Sequence, residues 1–456
     1  MSIWNQLIDR SNDLQSNAKN NTNAIQFHSN LTTLTDPISA SVQRSSAVTI
    51  QPTPQQSAPV AAVSDWFSQT FQDGGVASFV RQAYTQDGGL DRVDVINLFR
   101  AIESDGSVNS GEYQDCQTLI QDATALKMPD AVAVLAAKVV GHNIANTLFQ
   151  GTALGDLKVG STAAQLEMLV DKWFFGSDHP ATVIPADSTH AERDLSYQWA
   201  TGALFGTDNT FNLSDIRQGD LGDCYFLAAL GTTALHNPTA IQNMFTDNGD
   251  GTFTVRLFTE KDGVVGKADY VTVDRYLPTV SKGSLQQRFA YYDNQTVGIW
   301  VALAEKAYVQ FAEEQMSQRP VAPNGYVYNS YGSIEGGLAY QVMPVLSGRN
   351  ATYYSDQNFG GSRSGNFLPL DQIALKLSNG WAMTIGTNGT SDSTVDSSTG
   401  ITMNHEYIIY SADPATGTLW LYNPWGDTSV RTGDVNGYKL IAYRDLAKDA
   451  FEIGIG

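Results

Sequence analysis

Apolar residues recur at spacings of three and four in Val93-Ile96-Leu98-Phe99 and in Ala131-Val134-Leu135-Val139, which predicts a helical region over residues 66–150. From about residue 196 the texture changes to one rich in Gly, Tyr and Trp. Strand patterns occur at 252–258, 270–273, 382–385, 406–410 and 419–423, and a helical one at 299–314. The expected fold class is therefore α+β, preceded by a small helical domain. Residues 1–64 carry 30 Asn, Ser, Thr or Gln and only six charged residues. So little apolar area cannot offset the chain entropy of folding, and a disordered polar tail is expected there. The Gly/Ser/Thr-rich stretch 386–400 reads as a flexible loop, either a gate at the rim of a site or a plain surface loop.

The helical region contains an 18-residue internal repeat, in which DGGLDRVD at 87–94 aligns with DGSVNSGE at 105–112. Each copy resembles the second half of an EF-hand loop, but Ala83 and Ala101 stand where a first ligand would be. Half a loop leaves a calcium ion underligated, so a structural helical pair is the favoured reading, with Cys116 packing in the helix that follows. The organisation expected is a tail over 1–64, a helical domain over 65–155, a linker over 156–195 and two lobes over 196–350 and 351–456.

Composition narrows the function. The chain has 456 residues and a formal charge of −20, which argues against a polyanionic partner such as nucleic acid. No apolar run approaches the roughly 18 residues of a membrane helix, and the first ten residues lack the basic-then-apolar order of a signal peptide. A cytoplasmic protein is expected. Two cysteines, Cys116 and Cys224, are too few for a disulfide framework, so any thiol chemistry must use one of them.

Cys224 follows Gly219-Asp220-Leu221-Gly222-Asp223 and precedes an apolar run over 226–235 that reads as a helix. A thiol at the first turn of that helix is expected to ionise more readily, because the helix dipole and free N–H groups favour the thiolate. A buried, inert thiol is the alternative on position alone. Of six histidines, His405 stands out. The strand patterns on either side of Asp413-Pro414 read as a hairpin centred near residue 414, and 405 + 423 equals twice 414, so His405 and Asn423 should face each other. An amide oxygen there would fix the imidazole's tautomer, and Trp425 would cover the bond. The backbone N–H of Cys224 and the side-chain amide of Gln218 are the candidate oxyanion donors.

These residues resemble the calpain family of cysteine proteases. The resemblance rests on QGDLGDCYFLAAL at 218–230, DRYLP at 274–278, IWVALAEKAY at 299–308, GSIEGG at 332–337, NHEY at 404–407 and NPWG at 423–426, in the family's order. It implies a papain-like, two-lobed core without the family's C-terminal domains, with Cys224 and Gln218 in the first lobe, His405 and Asn423 in the second, and a protein or peptide substrate between them. It implies support of the cleft by Gly222, Asn404 and Trp425. Asp215 and Glu335 resemble ligands of a first-lobe calcium site, so calcium enters as an activator and no cofactor is required for the chemistry. Tyr225 stands where the family usually has Trp, and Asn404 where it has Gly. The expected function is a cysteine endopeptidase that also cuts its own N-terminal region; a latent scaffold and an acyl transferase are the alternatives.

Overall fold

The computed structural model describes residues 65–456 apart from 183–194, 208, 281–288, 293–296, 316–328, 356, 359–361, 364–366, 390–394, 427–434 and 448. The expected tail, most of the connection after Asp178 and part of the 386–400 loop lie outside the described residues. Three apolar clusters organise the rest: one in the N-terminal helical unit, one around the Cys224 helix, and one behind the C-terminal sheet. Among the described residues no helix is long and apolar enough to cross a membrane.

The helical unit comprises α1 (Trp66–Thr70), α2 (Gly74–Asp87), α3 (Arg92–Ile102), α4 (Ser110–Gln121), α5 (Asp130–Val140) and α6 (Ala163–Val170). Its internal repeat is built from helix ends. Gly88 and Gly106 take left-handed conformations that close the preceding turns, and Asp91 with Asp94, and Asn109 with Glu112, form reciprocal caps on α3 and α4. Asp91, Asp94, Asp105 and Glu112 thus each accept from backbone N–H groups at these helix ends. The apolar residues Leu90 and Val108 do not pair with each other; they bond to the backbones of Leu126 and Ser161.

The expected linker over 156–195 is a correction. Leu157, Leu166, Leu169, Val170, Trp173 and Phe174 are all buried in the helical cluster. Residues 157–175 belong to that unit because α6 and the turn after it supply one wall of its core, whereas Asp178 to Ala181 bond to the part that follows. Beyond them, β1 (Leu195–Trp199) pairs antiparallel with β5 (Tyr276–Val280), while β2 (Phe245–Asp247), β3 (Thr252–Lys261) and β4 (Val264–Asp274) form a second small sheet. The longer helices of this part are α7 (Cys224–His236), α8 (Trp300–Gln315) and α9 (Ala339–Ser347). α7 is apolar all round, with ten consecutive residues from Tyr225 to Ala234 buried, as a helix at the centre of a domain must be.

The C-terminal part is a six-stranded antiparallel sheet built from β6 (Thr352–Ser355), β7 (Met383–Thr387), β8 (Glu406–Asp413), β9 (Thr418–Tyr422), β10 (Tyr438–Ala442) and β11 (Ala450–Ile455). The strand order is β10-β9-β8-β7-β11-β6, with α10 (Leu370–Ser378) packed on its outer face. Alternation along β8 separates two cores: Tyr407 and Ile409 face the sheet's own cluster, and Ile408 faces the cluster of α7. A Cβ on Gly231 of α7 would stand 2.6 Å from Ile408 Cδ1, so helix and sheet touch at a glycine.

Candidate active site

That contact brings the start of α7 against the start of β8. Cys224 is the first residue of α7, and the backbone N–H groups of Tyr225 and Glu406 donate to its sulfur. The Glu406 donor lies one residue past His405, which is 3% exposed and anchored by Thr387: the Thr387 N–H donates to the His405 carbonyl at 2.9 Å, and the Thr387 hydroxyl takes the His405 N–H at 3.1 Å. Thr387 carries no sequence signal for this role, since it is one more β-branched residue in a buried strand.

His405 Nε2 lies 2.8 Å from Oδ1 of Asn423, a fully buried residue. The same oxygen accepts the Trp425 backbone N–H at 3.0 Å, and this second donor identifies the atom as oxygen rather than amide nitrogen. Nε2 must then carry the proton, so Nδ1 of the neutral ring is left as an acceptor. The Trp425 ring covers the pair, its centroid 4.6 Å from that of His405.

The hairpin register differs from the expected one. Ile408 faces Tyr422 and Ile409 faces Leu421, with a bulge before Ser411, so the facing index sum is 830 where 828 was expected. An even slip keeps every side chain on its face. His405 and Asn423 therefore still share a face, as diagonal rather than direct neighbours.

Gln218 sits on the approach to α7, and its N–H donates to the Pro424 carbonyl at 2.7 Å, joining this segment to the turn after Asn423. One side-chain N–H of Gln218 is spent on the Leu221 carbonyl at 2.5 Å, which leaves the second for another acceptor. Gly222 is held by the Gly336 N–H at 2.9 Å and lies against Glu335. Tyr225 reaches the Ile334 carbonyl at 2.9 Å, and a Cβ on Gly337 would stand 2.4 Å from its ring, so this aromatic needs a glycine beside it. Asn404 has φ 51°, the left-handed region that glycine and asparagine enter most readily, which accounts for an asparagine where the family has glycine.

Asp215 Oδ2 accepts the Asn212 N–H at 3.0 Å and the Trp300 indole at 3.3 Å. No group of three or more His, Cys, Asp or Glu side chains that would hold a metal occurs among the described residues. Calcium takes six to eight oxygens, so Asp215 and Glu335 do not by their side chains make a calcium cage.

Electrostatics differ from the expectation at Cys224. Burial is the largest influence and pushes the thiol up, the Glu406 and Asp223 charges add to it, and the two N–H groups oppose it without prevailing. Burial also lowers His405 to about 4 against the bond from Asn423. Burial thus acts against the charged form of both groups. Directly behind Cys224, Asp223 and Glu305 are 0% and 1% exposed, and burial favours the protonated form of both. Burial pushes Asp223 up to about 7.

A carboxyl that ionises near 4 when unfolded and near 7 when folded gives the folded state an extra proton between those values. Its contribution to stability is full at low pH and is lost as pH rises through 7. Asp223→Asn, made in a Cys224→Ala background, is therefore expected to gain stability on its parent as pH is raised from 5 to 8, read as the urea midpoint. A difference that does not change with pH would overturn the proton held on Asp223.

The profile of the calpain family of cysteine proteases matches residues 188–435, more than half of the chain, and the chain belongs to that family. It is 28% identical over 222 residues to the maize calpain-type cysteine protease DEK1, a match covering 47% of this chain and 9% of that one. Mouse calpain-9 is 26% identical over 219 residues, covering 47% and 28% of the two chains, and the nematode Caenorhabditis elegans calpain clp-4 is 25% identical over 229 residues, covering 47% and 27%. The match spans less than a third of the length of each of these relatives.

Proposed function

We propose that the protein is a papain-like cysteine endopeptidase acting on protein or peptide substrates. The observation that carries the reading is the Oδ1 of Asn423, which accepts from both His405 Nε2 and the Trp425 N–H and so leaves His405 Nδ1 unprotonated. Cys224 attacks the scissile carbonyl as its proton passes to His405, and His405 returns that proton to the departing amine. Water then hydrolyses the thioester with His405 as base. Proton transfer within the pair leaves the net charge of the buried site unchanged. Asn423 is a positioning residue that holds the ring, and the Cys224 N–H and Gln218 amide receive the oxyanion.

Calcium is proposed as a modulator acting near Asp215 and Glu335, and self-cleavage as a step in residues 1–64 or in the connection after Asp178. The chemistry above routes no step through a metal. The test is casein hydrolysis in excess calcium and in chelator, with intact mass recorded after incubation with and without a peptidyl epoxide. Hydrolysis with a single adduct on Cys224 is expected, and loss of N-terminal mass marks self-cleavage. An unlabelled Cys224 with casein intact in both buffers would leave a calpain-like scaffold. Equal rates in the two buffers would remove calcium control alone.

A further inference from the structure

The sheet row that begins beside His405 carries two acids that the chemistry above does not use. Glu406 on β8 faces Gly386 on β7, and Gly386 in turn faces Glu452 on β11. Directly opposed residues project from one face, and this is the face from which Ile408 meets α7. Glycine makes room for this arrangement: a Cβ at Gly386 would stand 2.6 Å from Glu406 Oε2 and 2.5 Å from the ring of Phe451. Glu406 and Glu452 are only 4% and 2% exposed, and Oε1 of each has no hydrogen-bond partner among the described residues.

Burying two carboxyl groups without a counter-charge is costly. A cationic guest would remove the cost, and the place lies within one residue of the reacting atoms, since the Glu406 amide donates to the Cys224 sulfur. A guanidinium presents five N–H donors in a plane that serves two carboxylates at once, and the half-buried Phe451 ring offers a face for it.

We propose that Glu406, Glu452 and Phe451 form a specificity subsite for a basic side chain of the substrate close to the scissile bond, arginine above lysine. This rests on the endopeptidase reading. With no guest, burial and their mutual charge hold the pair partly protonated, Glu452 being pushed up to about 7. A cation favours the ionised pair instead. The formal charge of −20 also draws basic segments toward the protein.

The test uses the full chain and a set of fluorogenic peptides in which arginine or its uncharged isostere citrulline is placed in turn at each position on both sides of the scissile bond. At one position arginine is expected to be cleaved with at least tenfold higher kcat/KM than citrulline. Glu452→Gln should bring that ratio below threefold, mainly by losing the arginine peptide, and Glu406→Gln gives a second variant for the same ratio. Equal cleavage of the two peptides at every position, or a ratio that survives both variants, would overturn the subsite. Failure of the endopeptidase reading looks different: the wild type would cleave neither casein nor any peptide of the set.

Discussion

Replacing Cys224 by alanine is expected to lower kcat/KM on a peptide substrate by about four orders of magnitude or more, with the far-UV spectrum and melting temperature unchanged. Alanine is a good helix former at the first position of α7, and it keeps the N–H groups that face the sulfur, so only the nucleophile is lost. Cys116 cannot substitute, being 1% exposed in the helical cluster and pushed up to about 12 by burial. Asn423→Ala should be milder, at about 10²-fold, because it frees the ring to rotate without removing the base. That loss should fall on kcat rather than KM. Activity surviving in Cys224→Ala would place the nucleophile elsewhere, and an Asn423→Ala enzyme with wild-type kcat would remove the positioning role.

How legible the site was depends on which physical pattern each residue obeys. The α7 helix, β3, β8 and β9 could be read because their apolar periodicity is strong, and the shared face of His405 and Asn423 survived because it depends only on parity. The register itself could not be read, since the bulge before Ser411 is a local backbone event with no marker in the sequence. The burial of the thiol could not be read, because a helix N-terminus is visible in a sequence whereas the depth of the site and the carboxyl groups around it are not. Glu406 did carry a signal, as an acid opening a strand that continues Tyr407-Ile408-Ile409, but its partner Glu452 lies 46 positions on and meets it only across Gly386. The linker expectation failed because the residues of α6 complete a core whose other walls lie far upstream.

Lys172→Met is expected to cost about 3–5 kcal/mol of stability, the usual consequence of removing one partner from a buried ion pair. Lys172 lies between the Asp178 carboxylate, to which it is hydrogen-bonded, and Glu313 Oε2 on α8 at 3.2 Å, with the Leu148 carbonyl at 3.1 Å as a third acceptor. Beside it, Lys138 of α5 reaches Asp269 on β4 at 2.7 Å and Glu314 on α8 at 2.5 Å, and Arg92 of α3 reaches Asp250 at 2.7 Å. Three cations of the helical unit are thus held by acids of the part that carries Cys224. Burial already pushes Glu313 up to about 7 in spite of Lys172. Without that lysine its carboxyl would hold a proton to still higher pH, so the penalty should be larger at pH 8 than at pH 6. Adding Glu313→Met should recover part of the loss, since it removes the charge left stranded. The same contacts bear on self-cleavage. A cut between residues 183 and 194 should leave the helical unit bound through size-exclusion chromatography, and the two pieces should separate only in denaturant. A helical unit that elutes alone after such a cut, or a Lys172→Met protein with an unchanged urea midpoint, would show that these ion pairs do not hold the two parts together.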